Sequence, residues 1–178
     1  MTEHAARTDD RSTARRTTLI WATAGTVLGW LLFALIVGLF IGPRAAQTAD
    51  RLAYAAAWMW PVAVLLLIMT LVAGLARGMG PGIDPTANAE GRFLDISRRV
   101  LTNTVEQSLI FALGAFAMAA VTPAGQLGLL GALTILFVVA RLVFWFGYLA
   151  SPLYRHAGFA LTAEINVVVL VWTLVHFI

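Results

Sequence analysis

Residues 98–121 read RRVLTNTVEQSLIFALGAFAMAAV. Two arginines open the stretch, Asn103 and Glu106 follow, and nothing after Glu106 is ionisable. At a rise of ~1.5 Å per residue, such a helix crosses a hydrocarbon core of ~30 Å, and a run this long and this poor in charge is the pattern of a membrane span. Working outward, the spacing predicts a helix over residues 96–121 and four more apolar runs of the same kind, at 17–42, 53–77, 126–149 and 158–178. Pro43, Pro123 with Gly125, and Pro152 separate them. Pro61 permits a kink inside the second, because it removes a backbone donor. Residues 78–90, GMGPGIDPTANAE, are too rich in Gly and Pro for a helix and form the one sizeable loop. Residues 1–16 are polar and read as a disordered cytoplasmic tail. They do not read as the start of a signal peptide, since the run after them is too long for an h-region.

Composition agrees with five spans. The chain is 60% hydrophobic and 12% charged with a mean hydropathy of +0.85, whereas an ordinary globular chain carries about 25% charged residues. The net charge of +3 comes entirely from arginines placed at the ends of the apolar runs, which serves topology and not nucleic-acid binding. The absence of Cys excludes disulfides, thiolate catalysis by the chain itself and Cys-ligated metals. His4, His156 and His176 are scattered with no spacing suited to a metal. Arg7, Arg11, Arg15 and Arg16 in the tail, Arg77, Arg92, Arg98 and Arg99 around the second connection, and Arg155 all fall on one side of a five-span chain. Arg44 and Arg51 alone fall on the other, so the positive-inside rule predicts a cytoplasmic N-terminus.

Ionisable groups inside a span are costly and mark the place to look for chemistry. Arg99, Asn103 and Glu106 stand at i, i+4 and i+7, hence on one face of the third helix. Arg141 and Tyr148 repeat the spacing on the fourth, near the same end. Antiparallel neighbours joined by a short turn bring the two stripes opposite each other. Singly, each residue has a structural explanation: Arg99 snorkels, Glu106 neutralises Arg141, and Asn103 joins helices. Together they suit an anionic, peptide-like ligand, with Arg forks for carboxylates, Asn and Glu for amide and amine, and a tyrosine hydroxyl for a thiolate.

The stretch Arg99-Val100-Leu101-Thr102-Asn103-Thr104-Val105-Glu106-Gln107 resembles the R-x-x-x-N-x-x-E signature of the MAPEG family, the membrane-associated proteins in eicosanoid and glutathione metabolism, and in particular a bacterial branch with N-T-x-E-Q. Arg141, followed seven residues on by Tyr148 and then by Arg155, is a second similarity in the right order. The resemblance implies a four-helix membrane bundle over residues 53–178 behind one extra helix, residues 17–42. It implies a homotrimer in the bacterial inner membrane, with glutathione or a similar thiol held between subunits and a lipophilic small molecule as the second substrate. Arg77, Arg99, Asn103, Glu106, Arg141 and Tyr148 would bind glutathione. Arg155 and Tyr148 would act on its sulfur in a transferase or peroxidase reaction. Thr102 stands where eicosanoid-forming relatives often have a basic residue, and Phe144 where some have His.

Two alternatives remain open on the residues: a non-catalytic membrane protein that keeps the fold for binding or assembly, and a proton transporter built on Glu106. Charges gathered at one end, with no internal repeat, argue against transport. Gly25 and Gly29, and Gly38 and Gly42, allow close helix approach, and Glu164 reads as interfacial or as an edge member of the polar site. Trp21, Trp58 and Trp60 suit an interfacial belt, but Trp30 does not.

Overall fold

Hydrocarbon offers a backbone no hydrogen-bond partner, so a chain of this composition must satisfy its amides within helices. The computed structural model describes residues 2–44, 47–80, 91–123 and 125–178, and the regular structure among them is entirely helical. The elements are α1 (Thr2–Ile36), a 3-10 turn (Val37–Leu39), α2 (Thr48–Trp58), α3 (Trp60–Gly78), α4 (Arg92–Val121), α5 (Gly128–Ala150) and α6 (His156–Phe177). They supply five segments long and apolar enough to cross a membrane, with α2 and α3 together making the second.

Several boundaries differ from the sequence reading, among them the start of α4, at Arg92 and not at residue 96. The polar stretch expected to be a disordered tail is helical from Thr2 onward. Its alanines and arginines favour helix, and a helix extended from an existing turn avoids the nucleation cost. The first apolar run leaves α-helix at Ile36, passes through the 3-10 turn and is extended at Phe40. The second begins earlier, at Thr48, and breaks at Met59, whose N–H bonds to the Ala56 carbonyl at 3.1 Å just before Pro61. Most of the expected loop, residues 81–90, lies outside the described residues.

α4, α5 and α6 pack on one another, with α2 and α3 laid along α4 and α1 laid along α6 and α5. The centre holds Phe111 and Phe137 stacked at 4.5 Å, together with Leu130, Leu133, Leu136, Ile165 and Val169. Lipid tails are as apolar as leucine, so tight fit and polar bonds hold helices together here. The α4 C-terminus shows one such bond: Arg51 Nη1 donates to the carbonyls of Ala120 and Thr122 at 3.3 and 3.0 Å. The guanidinium that the sequence offers only as a topology marker thus caps a helix end. Glu164 does not line the polar cavity described below. It accepts from Thr26 Oγ1 and Trp30 Nε1, both at 2.9 Å, and so binds α1 to α6. That bond accounts for the tryptophan that the interfacial belt leaves unexplained.

Candidate functional site

The start of α4, the end of α5 and the start of α6 meet at one end of the bundle, where helices of alternating direction must bring them. Between them is a cavity of about 330 Å³ lined by Arg99, Asn103, Phe144, Tyr148, Arg155, His156 and Phe159. Its size is at the lower end of the ~300–1,000 Å³ usual for small-molecule sites. Four of the residues singled out from the sequence, Arg99, Asn103, Tyr148 and Arg155, are therefore brought together.

Each is placed by a local cause. Arg99 is one helical turn past Asp95, and its Nε donates to both carboxylate oxygens at 2.9 and 3.0 Å. Those bonds use Nε alone, so they do not consume the forked end of the guanidinium. Arg155 ends the short turn between α5 and α6, and its guanidinium carbon lies 4.6 Å from the centroid of the Tyr148 ring. A cation over a tyrosine face is attracted by the ring quadrupole, which holds the long arginine side chain beside the phenol. Phe144 and Phe159, with ring centroids 6.4 Å apart, give the cavity an apolar wall opposite its charged one.

Arg141, a ligand-binding residue in the sequence resemblance, does not line the cavity. It is fully buried one turn deeper than Phe144, whose ring closes over its guanidinium at 4.1 Å. Its Nη2 donates to Asn103 Oδ1 at 3.0 Å and to Thr104 Oγ1 at 2.9 Å, and its Nε donates to Thr104 Oγ1 at 3.2 Å. Nη1 has no partner among the described residues. Arg141 therefore serves the site from behind by fixing the Asn103 carbonyl oxygen. Its partners are these two residues and not Glu106, the neutralising partner considered from sequence.

Glu106 shares a helix face with Arg99 and Asn103 but does not line the cavity, and its side chain is exposed. No hydrogen bond or ion pair joins it to another described residue. Arg77 is likewise outside the cavity. It lines a second one of about 290 Å³ with Thr70, Ala73, Gly74, Arg98, Leu101 and Thr102, between α3 and α4 at the same end of the bundle.

Sequence reasoning missed four participants. Phe159 stands four residues after Arg155 and shares its helix face, so the i, i+4 rule carries the signal. His156, which the sequence offers only as an isolated histidine without metal-binding spacing, lines the cavity while its Nδ1 faces the Leu153 carbonyl at 2.8 Å. Phe144 was noted only as a departure from relatives. Thr104, which takes two of the three bonds from Arg141, carries no signal in a single sequence, because a threonine in an apolar helix usually bonds its own backbone. It does that as well, donating to the Val100 carbonyl at 2.7 Å.

A family model described as the MAPEG family matches residues 27–175, which take in all of α2 to α5, most of α6 and the latter part of α1. No curated protein and no solved structure matches the chain.

Proposed function

The chain belongs to the MAPEG family, and from that premise we propose that it is a membrane-bound glutathione-dependent transferase or peroxidase acting on lipophilic electrophiles. Members of the family are glutathione transferases, peroxidases or eicosanoid synthases. The observation that carries the reading is the single cavity in which Arg99, Asn103, Tyr148 and Arg155 converge beside an aromatic wall.

Glutathione is a flexible peptide-like anion with carboxylates at both ends and a thiol between them. The forked end of Arg99 suits a carboxylate. The Asn103 oxygen is occupied by Arg141, which directs its amide N–H groups to act as donors toward the peptide. Arg155 and Tyr148 form the other pole, where a guanidinium and a phenol stabilise negative charge on sulfur. An ordinary thiol ionises near ~8.5, and a neighbouring cation increases the thiolate fraction at neutral pH. The thiol proton leaves to water, and the sulfur lone pair then attacks the electrophile. In conjugation a C–S bond forms and the leaving group departs with its electron pair. With a hydroperoxide an S–O bond forms as the O–O bond breaks, the departing alkoxide takes a proton from water and leaves as the alcohol, and a second glutathione displaces the sulfenic hydroxyl as water to complete the disulfide. Phe144 and Phe159 give the lipophilic partner an apolar approach to the sulfur.

The same reading makes the protein a homotrimer of the plasma membrane with its N-terminus in the cytoplasm. The arginine distribution supports the orientation. Glu106 supports the trimer: an exposed carboxylate ~10 Å along α4 from Arg99 is costly at that depth unless a neighbouring copy or a ligand covers it. Arg77 then faces the ligand from the adjoining copy. The test uses purified, detergent-solubilised protein, with a thermal-shift titration by glutathione followed by conjugation of a hydrophobic chloronitrobenzene and reduction of a lipid hydroperoxide. Glutathione should raise the melting temperature, since it binds only the folded state. Neither binding nor turnover would sink the proposal, and binding without turnover on either substrate would favour the non-catalytic alternative.

A further inference from the structure

Arg155 carries the proposed chemistry, yet the segment that bears it is a single turn between two helices. Its backbone bonds are local: Tyr154 N–H donates to the Ser151 carbonyl at 3.1 Å, His156 N–H to the Leu153 carbonyl at 3.4 Å, Ala157 N–H to the Tyr154 carbonyl at 3.3 Å and Phe159 N–H to the Arg155 carbonyl at 3.0 Å, so they shape the turn without fixing it against Tyr148. A long arginine on so short a turn needs outside support to keep its head over Tyr148. Two elements provide it. On the α5 side, Gly147 lets the turn sit directly on the helix, because a Cβ there would come within 2.9 Å of the Tyr154 carbonyl oxygen. On the opposite side lies α1. The Trp21 ring lies 4.6 Å from that of Tyr154, the residue before Arg155. Gly25 brings the α1 backbone against Ala157, two residues after Arg155, so closely that any Cβ would collide with the Ala157 backbone. One turn further on, the bonds from Thr26 and Trp30 to Glu164 fix the pitch of α1 along α6.

We infer that α1 is a positioning element for the proposed catalytic site: Trp21 and Gly25 clamp the turn on either side of Arg155 and hold its guanidinium over Tyr148. This rests on the glutathione reading for its chemistry, but the clamp itself stands on contacts made in the absence of any ligand. No residue of α1 lines the cavity that holds Arg155, so α1 acts on it through the turn.

The test pairs two readouts on the full-length, detergent-solubilised protein. The variants are Trp21→Ala, Gly25→Val, the conservative Trp21→Phe, and Leu35→Ala on an exposed part of the same helix. First, hydrogen exchange of the unliganded protein: Trp21→Ala and Gly25→Val should speed exchange in residues 151–159 and leave the central turns of α4 unchanged. Second, the thiolate absorbance of bound glutathione as a function of pH: for Trp21→Ala the midpoint should rise by about one unit toward ~8.5, leaving roughly tenfold less thiolate at neutral pH. Turnover should fall in parallel, while the KM for glutathione changes less than about twofold, the split expected when an arginine is misplaced and the binding groups are not. Trp21→Phe should recover most of the shift and Leu35→Ala should show none. Faster exchange with an unmoved pH midpoint would reduce the clamp to a packing contact and overturn the positioning role. Unchanged exchange in both variants would overturn the clamp itself. Should wild type bind no glutathione, the proposed function falls and with it the assignment to Arg155 chemistry, and exchange alone then decides whether α1 holds the turn.

Discussion

Replacing Thr104 by valine keeps the shape of the side chain and removes one oxygen, and that oxygen accepts two of the three hydrogen bonds made by the buried Arg141. Neutral side-chain bonds between membrane helices average only ~0.6 kcal/mol. A guanidinium cannot shed its charge to escape an apolar site, however, so the larger penalty for stranding a buried charged group applies. With Nη1 already unpartnered and only Asn103 left, the loss is about 2–4 kcal/mol, from two charge-assisted bonds at ~1.5–3 kcal/mol each less partial relaxation. For a chain of this size that is a fall of roughly 5–15 °C in melting temperature. The assay is a double-mutant cycle in detergent with Thr104→Val, Arg141→Met and the pair. Removing the charge along with its acceptor should recover part of the loss, so the pair should be more stable than Thr104→Val alone, with a coupling of at least ~1.5 kcal/mol. Additivity within ~0.5 kcal/mol, or a Thr104→Val melting point within about 1 °C of wild type, would refute the reasoning.

Arg155→Ala should cut turnover by about a hundredfold or more with a smaller change in the KM for glutathione, the signature of a group that acts on the reacting atom; equal losses in binding would contradict its place beside the sulfur. Tyr148→Phe keeps the ring under Arg155 and removes the hydroxyl, so a loss of only about tenfold is expected, against a larger one for Tyr148→Ala. Arg51→Met uncaps the carbonyls of Ala120 and Thr122 and should lower stability by about 1–2 kcal/mol without altering the pH dependence of catalysis, read by thermal melting beside a rate profile. Trp30→Phe deletes one of the two bonds to Glu164 and should cost ~0.6–1.7 kcal/mol, whereas a loss above 4 kcal/mol would mean that Glu164 is held far more tightly than these bonds account for.

The spans were legible because hydrocarbon permits one backbone solution, and composition alone reports which residues enter it. Helix ends were less so. The start of α1 depends on whether an existing helix propagates into polar sequence, and the break at Met59 shows where the freedom granted by Pro61 is used. Within the site, the i, i+4 and i+7 spacings placed Arg99, Asn103 and Tyr148 correctly on facing stripes, and the cavity adds Arg155 to them. The same spacings placed Arg141 and Glu106 on those stripes too, but a stripe states a direction and not how far along it a cavity extends. The Phe144 ring lies over Arg141 and lines the cavity in its place, while Glu106 is exposed on α4, and nothing in a one-helix pattern announces either outcome. The partners of Glu164 were not legible for a related reason: Thr26 and Trp30 lie 138 and 134 residues away, so no local period connects them.

Three of the polar groups that the chain carries into its apolar region find partners within it, each on a different pair of helices. Arg141 bonds Thr104 and Asn103 across α4 and α5, Glu164 receives Thr26 and Trp30 across α1 and α6, and Asn166 Nδ2 donates to Gln107 Oε1 at 2.8 Å across α4 and α6. Glu106 stands next to Gln107 and follows a different rule: it is exposed on α4 and bonds no described residue. An ionised carboxylate is the costliest of these groups to leave bare at membrane depth, where it costs several kcal/mol. On the proposed reading its partner would be supplied by a neighbouring copy or by the ligand. Glu106→Gln separates the two. If the partner is a subunit, the variant should dissociate at lower detergent concentration while the pH midpoint of any thiolate that still forms is unmoved. If the partner is the ammonium group of glutathione, assembly should be retained and affinity should fall by roughly tenfold or more, the loss expected when one charge-assisted bond of about 1.5–3 kcal/mol is broken. A variant that matches wild type in both would show that Glu106 serves neither role.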